Sequence, residues 1–328
     1  MTKILITGGA GFLGSYLTIE ALRRGFDAVL VDNFNYETVS VDHKKQNGAL
    51  IKKQSANLKS KFTEYVADIT NYEDFKAIMF KERPEIIIHA ASLVMDRLSM
   101  HLPDAFIRTN VIGSQNLIKI ATELSGVKHM VFISSRSAIG EKAERDSKIF
   151  ESDLFRPINP YGASKAAAEG FFYCYHHNTN VNVSITRMQP LYGPRCRHDM
   201  LPWRVINSIL TQEQIEKYGT GDAVRDWLFI DDAVDAIFKV VDHPNNFQIF
   251  NIGTGKSTTT NDVIAICENI AGKKANVRTV SDVQGDAYFA GIADCTKIRE
   301  ELNWRHTVDI EEGLSKTYAF MKSQLSNY

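Results

Sequence analysis

Little in this 328-residue chain is present in excess, and what it lacks narrows what it can be. Its 38 basic and 39 acidic residues leave a net charge of −1, so no dominant surface for nucleic acid or an anionic membrane is expected. Any phosphate recognition must then be confined to a local pocket. No segment reaches the roughly 18 uninterrupted apolar residues of a membrane span. Residues 1–7 run straight into a short apolar strand, without a signal-peptide core or cleavage site, and a cytosolic protein is the expectation. The 4 cysteines, Cys174, Cys196, Cys267 and Cys295, are far apart and lack Cys-x-x-Cys or Cys/His spacing. His176 and His177 are adjacent and diverge on a helix, so no metal site is expected. Internal repeats and low-complexity tracts are absent as well. What is plentiful is core-forming material, since 44% of the residues are hydrophobic, enough for one large domain or two smaller ones.

The apolar residues fall into short β-rich runs at 3–7, 27–32, 63–66, 85–89, 128–134 and 182–187. Amphipathic stretches at 15–24, 72–81, 111–125 and 161–177 lie between them. Near-continuous apolar strands separated by helices predict an α/β fold, a doubly wound parallel sheet covered on both faces. After residue 191 the rhythm loosens into helices at 202–210, 260–271, 296–302 and 310–323 mixed with short strands. The expected organisation is a nucleotide-binding domain over 1–190 and a smaller mixed lobe over 191–328, with the boundary interleaved. Lys44, Lys45, Lys52, Lys53, Lys59 and Lys61 make residues 42–62 basic. Without interleaved aromatics, the segment reads as a solvated helix or loop rather than a binding patch.

Directly after the first strand comes Thr7-Gly8-Gly9-Ala10-Gly11-Phe12-Leu13-Gly14-Ser15. Glycines at 8, 11 and 14 between a strand and a helix suit a tight turn that brings a pyrophosphate against a helix N-terminus. Asp32 ends the second strand, at the spacing of an acidic residue that bonds an adenosine ribose 2′-hydroxyl. It would repel a 2′-phosphate, so NAD is favoured over NADP. Asp68-Ile69 and His89-Ala90-Ala91-Ser92 follow the third and fourth strands, where a dinucleotide would pass, and either could equally be an ordinary strand end.

Tyr161 and Lys165 are four residues apart and share a helix face. A tyrosine with its ordinary pKa of about 10 is a poor base at pH 7, and lowering that by roughly 3 units requires about 4 kcal/mol. Lys165 and a cationic nicotinamide could supply it together. With 12 tyrosines in the chain, roughly one Tyr-x-x-x-Lys arises by chance, so the pair gains meaning only from its context. Ser134-Ser135 closes the preceding strand, and Ser135 is either a reacting hydroxyl or a strand-end hydroxyl bonded to backbone.

Together these motifs resemble the extended short-chain dehydrogenase/reductase family, and within it the nucleotide-sugar epimerases. Asn110-Val111-Ile112-Gly113, Tyr192-Gly193-Pro194, Arg225-Asp226-Trp227 with Asp231-Asp232, and Asn251-Ile252-Gly253-Thr254-Gly255 extend the resemblance over nearly the whole chain. It implies a Rossmann domain with tightly bound NAD, a C-terminal lobe for a nucleotide sugar, and a homodimer built on the helices that follow Asn110 and start at Tyr161. The cofactor contacts it implies are Gly8, Gly11, Phe12, Leu13, Gly14, Asp32, Asn33, Asp68, Ile69, Ala90, Ala91, Ser92 and Asn110, with Tyr161 and Lys165. Contacts to the sugar nucleotide would come from Ser135, Ser137, Arg197 and Arg225. Catalysis would rest on Ser135, Tyr161 and Lys165. By the resemblance, Tyr161 takes the proton of the sugar 4-hydroxyl as C4 passes its hydride to NAD, the flat 4-keto sugar turns over, and the hydride returns to the other face.

The two residues after Ser135 separate reaction types. Related 4,6-dehydratases carry Asp-Glu there, and related uronate decarboxylases commonly carry glutamate at the second position; this chain has Arg136 and Ser137. Epimerisation remains. Arg136 is unusual even among epimerases, and the sequence leaves open whether it faces the sugar.

Tyr192-Gly193-Pro194-Arg195-Cys196-Arg197-His198-Asp199-Met200 resembles the Tyr-Gly-Pro-x-x-Arg-Pro-Asp-Met stretch of uronate 4-epimerases, as does Asp32-Asn33-Phe34-Asn35-Tyr36. In that branch the arginine at the place of Arg197 holds the sugar carboxylate, which its planar fork suits. Arg195 and Arg197 as surface salt-bridge residues is the competing reading. Departures are Pro190 in place of asparagine or threonine, His198 in place of proline, and Val283-Gln284-Gly285-Asp286 without the usual diphosphate arginine, which would shift that work to Arg225. The favoured activity is C4 epimerisation of UDP-glucuronate to UDP-galacturonate. UDP-glucose or UDP-N-acetylglucosamine 4-epimerisation, dehydration or decarboxylation, and a non-catalytic NAD-binding regulatory role are the alternatives.

Overall fold

Strand-forming and helix-forming segments alternate because the inner strands are buried on both faces and must be covered twice. In the computed structural model, which describes residues 1–35, 40–281 and 285–325, the central strands are β1 (Lys3–Thr7), β2 (Asp27–Asp32), β3 (Phe62–Val66), β4 (Ile86–His89), β5 (His129–Ser135), β6 (Asn182–Met188) and β7 (Phe247–Ile252). They lie in the order β7-β6-β5-β4-β1-β2-β3, and every neighbouring pair is parallel. The first six strands fall where the sequence predicts them. The seventh does not come from that run: residues 247–252, inside the 191–328 stretch, return to pair with β6 from Phe247↔Val183 to Ile252↔Met188.

The longer helices are α1 (Phe12–Arg23), α2 (Val41–Ser55), α3 (Tyr72–Glu82), α4 (Gly113–Glu123), α5 (Pro160–Thr179), α6 (Leu201–Thr211), α7 (Ile230–Val241), α8 (Thr260–Ala271) and α9 (Ile310–Leu325). The period-two alternation of strand side chains sorts the core into two layers. Ile4, Ile6, Leu30 and Val131 pack with α1 and α7 on one face. Leu5, Val29, Ile87 and Phe132 pack with α3, α4 and α5 on the other. Helix α7 is a second element that the sequence pattern does not single out, although nine of its residues are buried.

Strand order reverses between β1 and β4. In an open parallel sheet this switch point leaves a crevice beyond the carboxyl ends, where ligands bind. The remaining elements, including α6, α8 and a parallel pair formed by Ile215–Tyr218 and Val277–Val280, make the smaller lobe. Among the described residues no helix is long and apolar enough to cross a membrane.

Candidate active site

The crevice is a cavity of about 830 Å³, walled by the carboxyl ends of β1, β2, β4, β5 and β6 and by residues of the smaller lobe. That volume is near the upper end for small-molecule sites.

The turn after β1 makes one wall. Gly8 has φ +67, and a Cβ there would stand 2.7 Å from Ala91 Cα, so the backbone of residues 90–91 can approach only because position 8 has no side chain. A Cβ on Gly14 would collide with the Gly8 carbonyl oxygen. Gly11 caps the N-terminus of α1, which opens toward the cavity. These features fit a dinucleotide: close backbone approach, free amides at a helix end and an acidic residue on the next strand. Gly14→Ala is expected to displace the turn, to cost about 1–3 kcal/mol of stability, and to reduce the NAD recovered per protomer after acid release.

Asp32 is not a bare carboxylate. Its Oδ2 accepts from the Ala10 amide at 3.2 Å, and its Oδ1 accepts from the Phe34 amide at 2.8 Å and from Lys44 Nζ at 3.1 Å. Lys44 is only 6% exposed and lines the cavity. This corrects the reading of residues 42–62 as merely solvated: α2 turns one of its lysines inward, where it pairs with Asp32 and bonds Asn35.

Gly8, Gly11, Phe12, Leu13, Gly14, Asp32, Asn33, Ile69, Ala90, Ala91 and Ser92 all line the cavity, while Asp68 and Asn110 do not. Asp68 sits behind Asn33, whose amide donates to it at 2.9 Å. Burial raises the Asp68 carboxyl, but the bonds from Asn33 and Thr70 outweigh that and hold it below the usual carboxylate range. Asn110 is 2% exposed, in a π-helical turn at Ile107–Ile112. Its amide is fully committed: Oδ1 accepts from the Leu93 amide and the Ser92 hydroxyl, and Nδ2 donates to Leu93 O and Ser164 Oγ. It therefore locks the 92–93 loop to α5 instead of facing the cavity. Tyr36, Val283 and Gln284, which the sequence reading also used, lie outside the described residues.

Ser135, Tyr161 and Lys165 meet at the far end of the crevice. Asn159 caps α5 by accepting from the Gly162 amide at 2.8 Å, and Pro160 occupies the first turn, which together fix the start of the helix and so Tyr161. A Cβ on Gly162 would strike the Ser137 carbonyl, so α5 and the 136–138 turn meet in direct backbone contact. Ser135 Oγ accepts from the Ser137 amide at 3.1 Å, and its side chain opposes the rise in the Tyr161 pKa.

The sequence reading expects Lys165 to lower Tyr161, but the protein groups alone do the reverse. Burial pushes Tyr161 up to about 12, against the opposing pull of Ser135, Arg197 and Arg136. Burial likewise pushes Lys165 down to about 7, with Glu169 pulling it back up. Lys165 Nζ donates to Ile133 O at 2.8 Å and lies 4.9 Å from the Phe132 ring centroid. Its remaining N–H groups are free to bond a ribose.

On the lobe side, Arg197 lines the cavity but already forks onto Asp199, from Nε at 2.8 Å and Nη2 at 2.7 Å. Arg195 does not line it: its guanidinium stacks 4.0 Å from the Tyr16 ring centroid and bonds Ser15 and Asn47. Neither is a plain surface ion pair. Arg225 and Arg97 converge on Asp286, and all three line the cavity. Arg136 is turned in too, 5% exposed and lining the cavity beside Ser137. Among the described residues no group of three or more His, Cys, Asp and Glu could hold a metal ion.

A model of the NAD dependent epimerase/dehydratase family matches residues 4–253, more than three-quarters of the chain. The chain belongs to that family. This epimerase/dehydratase-family protein is 32% identical over 330 residues to a UDP-glucuronate 4-epimerase of Thermodesulfobacterium geofontis, a match covering 99% of the chain and 98% of the relative. Its fold is similar to that of a UDP-glucuronic acid 4-epimerase from Bacillus cereus solved with UDP-glucuronic acid and NAD, with TM-score 0.89 and 29% identity over 98% of this chain and all of the other. It is also similar to a UDP-glucose 4-epimerase from Thermotoga maritima solved with UDP-glucose, with TM-score 0.88 and 29% identity over 99% of this chain and all of the other. The family is NAD dependent, and the geometry of the glycine turn and Asp32 fits that cofactor.

Proposed function

We propose that this protein is an NAD-dependent 4-epimerase that interconverts UDP-glucuronate and UDP-galacturonate. The observation that carries the reading is the composition of the reacting end: Ser135, Tyr161 and Arg197 line one cavity, and there is no carboxylate at 136 or 137 to drive an elimination.

The backbone of residues 8–14 would hold the NAD diphosphate, Asp32 the adenosine ribose, and Lys165 the nicotinamide ribose. Bound NAD supplies the reversible hydride acceptor for C4 and a positively charged ring. Tyr161 takes the proton of the 4-hydroxyl and returns it to the same oxygen after the flat 4-keto ring has turned over. Ser135 hydrogen-bonds that oxygen throughout, which keeps proton transfer in line on either face. Arg197, whose Nη1 is not committed to Asp199, would take the C6 carboxylate, and Arg225 with Arg97 would take the diphosphate in exchange for Asp286. The proposal includes a homodimer through α4 and α5, supported by the exposed apolar side chains of Ile107, Ile112 and Tyr173 beside or on them, and a cytoplasmic location.

The test is NMR of purified protein with UDP-glucuronate, including C5-deuterated substrate. Appearance of UDP-galacturonate with C5 deuterium retained and no net oxidation supports the reading. Release of carbon dioxide would move the case to decarboxylation, and NAD binding with no turnover of any UDP-sugar would move it to a regulatory protein. Arg197→Ala is expected to lower kcat/KM for UDP-glucuronate roughly ten- to a hundredfold, the worth of one charge-assisted hydrogen bond, with a far smaller loss for UDP-glucose. Equal losses would remove the carboxylate role.

A further inference from the structure

Five arginines line the cavity, and four of them have evident partners. Arg97 and Arg225 share Asp286, Arg197 forks onto Asp199, and Arg204 donates to the Glu216 carbonyl. Arg136 differs. Among the described residues it forms no ion pair, and its only hydrogen bonds are two long ones of 3.4 Å, both from Nη1, to the carbonyls of Gly140 and Ala290. Among the described residues Nε and Nη2 have no hydrogen-bond partner, although Arg136 is 5% exposed.

A buried guanidinium with most of its five donors idle is costly, because desolvation is repaid only by an anion with matching geometry. The charged groups that face Arg136 do not repay it: Asp96 and Asp286 favour its charged form, Arg225 opposes it, and burial dominates all three. Asp96 already accepts from Asn159 at 2.8 Å, and Asp286 already holds Arg97 and Arg225. Position supplies the remaining constraint. Arg136 directly follows Ser135 and is one of the cations acting on Tyr161, so it stands at the reacting end. A uronate carboxylate hangs from the ring carbon next to C4 and must lie close to whatever holds the C4 oxygen.

Resting on the activity proposed above, we propose that Arg136 is the main cation of the carboxylate subsite, gripping the sugar C6 carboxylate opposite Arg197 and setting the preference for a uronate over a neutral hexose. Arg197 carries Asp199 with it and brings little net charge; Arg136 brings a whole one. In this arrangement the cation stands where an elimination catalyst would place an acid, so the same position that removes dehydration chemistry installs anion recognition.

The test is calorimetric titration of UDP-glucuronate, UDP-glucose and UDP into the NAD-loaded protein, in a Tyr161→Phe background so that ligand is bound and not turned over. Arg136→Gln is expected to weaken UDP-glucuronate roughly ten- to a hundredfold, to change UDP-glucose and UDP by less than about threefold, and to leave NAD content intact. Arg136→Lys, which keeps the charge and loses the fork, should fall between. If the glutamine variant does not fold, the lysine variant carries the same comparison. Equal weakening of all three ligands would assign Arg136 to the diphosphate and overturn the proposal, as would no change in any. Failure of the parent reading looks different: the unsubstituted protein would itself show no preference for UDP-glucuronate over UDP-glucose, and the carboxylate role would fall with it.

Discussion

Replacing Tyr161 with phenylalanine is expected to lower the turnover of UDP-glucuronate by about a hundred- to ten-thousandfold, the usual share of general acid–base catalysis, while the protein keeps its NAD. The substitution removes one hydroxyl and little else. The ring keeps its edge-on contact with Phe106 at 6.1 Å between centroids, and the cap of α5 does not involve the side chain. What is lost is the buried hydroxyl, lining the cavity with Ser135, that would exchange a proton with the C4 oxygen. Since burial holds this hydroxyl near 12, its proton leaves easily only when cations crowd it. The chain contributes Arg197 and Arg136, which Asp96 opposes. NMR turnover together with NAD content after acid release checks the prediction; loss of NAD in parallel with activity would mean that Tyr161 supports the cofactor site instead.

Glu169→Ala is expected to be the most damaging single change to stability, about 3–5 kcal/mol, with the melting temperature lower by on the order of 10 °C. Glu169 and Arg187 form a pair that is buried on both sides, 3% and 2% exposed in their side chains, joined by three bonds of 2.9–3.1 Å. Ser134 Oγ donates to the same carboxylate at 2.5 Å. Removing the acid strands an arginine charge between β6 and α5. The double change Glu169→Ala with Arg187→Met should recover much of the loss, and thermal melts of the unsubstituted protein and the two variants test this.

Glu169 also raises the neighbouring Lys165, so its loss should push Lys165 below about 7. The sign of the linked effect is fixed. A lysine lowered in the folded state binds fewer protons there than in the unfolded chain, so its contribution to stability rises with pH from about 7 toward the ordinary lysine value near 10.5. Losing Glu169 should extend that rise to lower pH.

The parts of the site that are legible in the sequence are those whose chemistry demands a residue type within a few positions. The glycine turn, Asp32, the pair Tyr161 and Lys165, and Ser135 at a strand end all depend on local geometry, and all reach the cavity. Lys44 was hidden because six lysines in one basic stretch look alike until the phase of α2 turns one inward. The Asp199 fork on Arg197 depends on a backbone turn that spacing does not specify, and the commitment of Asn110 to residues 92, 93 and 164 depends on loops distant in sequence. Six strands were legible because each is a short β-rich run set between amphipathic stretches. Strand β7 was not, since its alternating Phe247-Gln248-Ile249-Phe250 looks like any short strand, and only pairing with β6 gives it a place.

That pairing has a consequence for how the chain can be made and divided. A fragment ending at residue 190 would keep the glycine turn, Ser135, Tyr161 and Lys165, yet it would expose β6 along one whole side as a bare, apolar template for aggregation. During synthesis the sheet likewise stays unfinished until residue 252 has emerged, and β6 waits unpaired on that side until then.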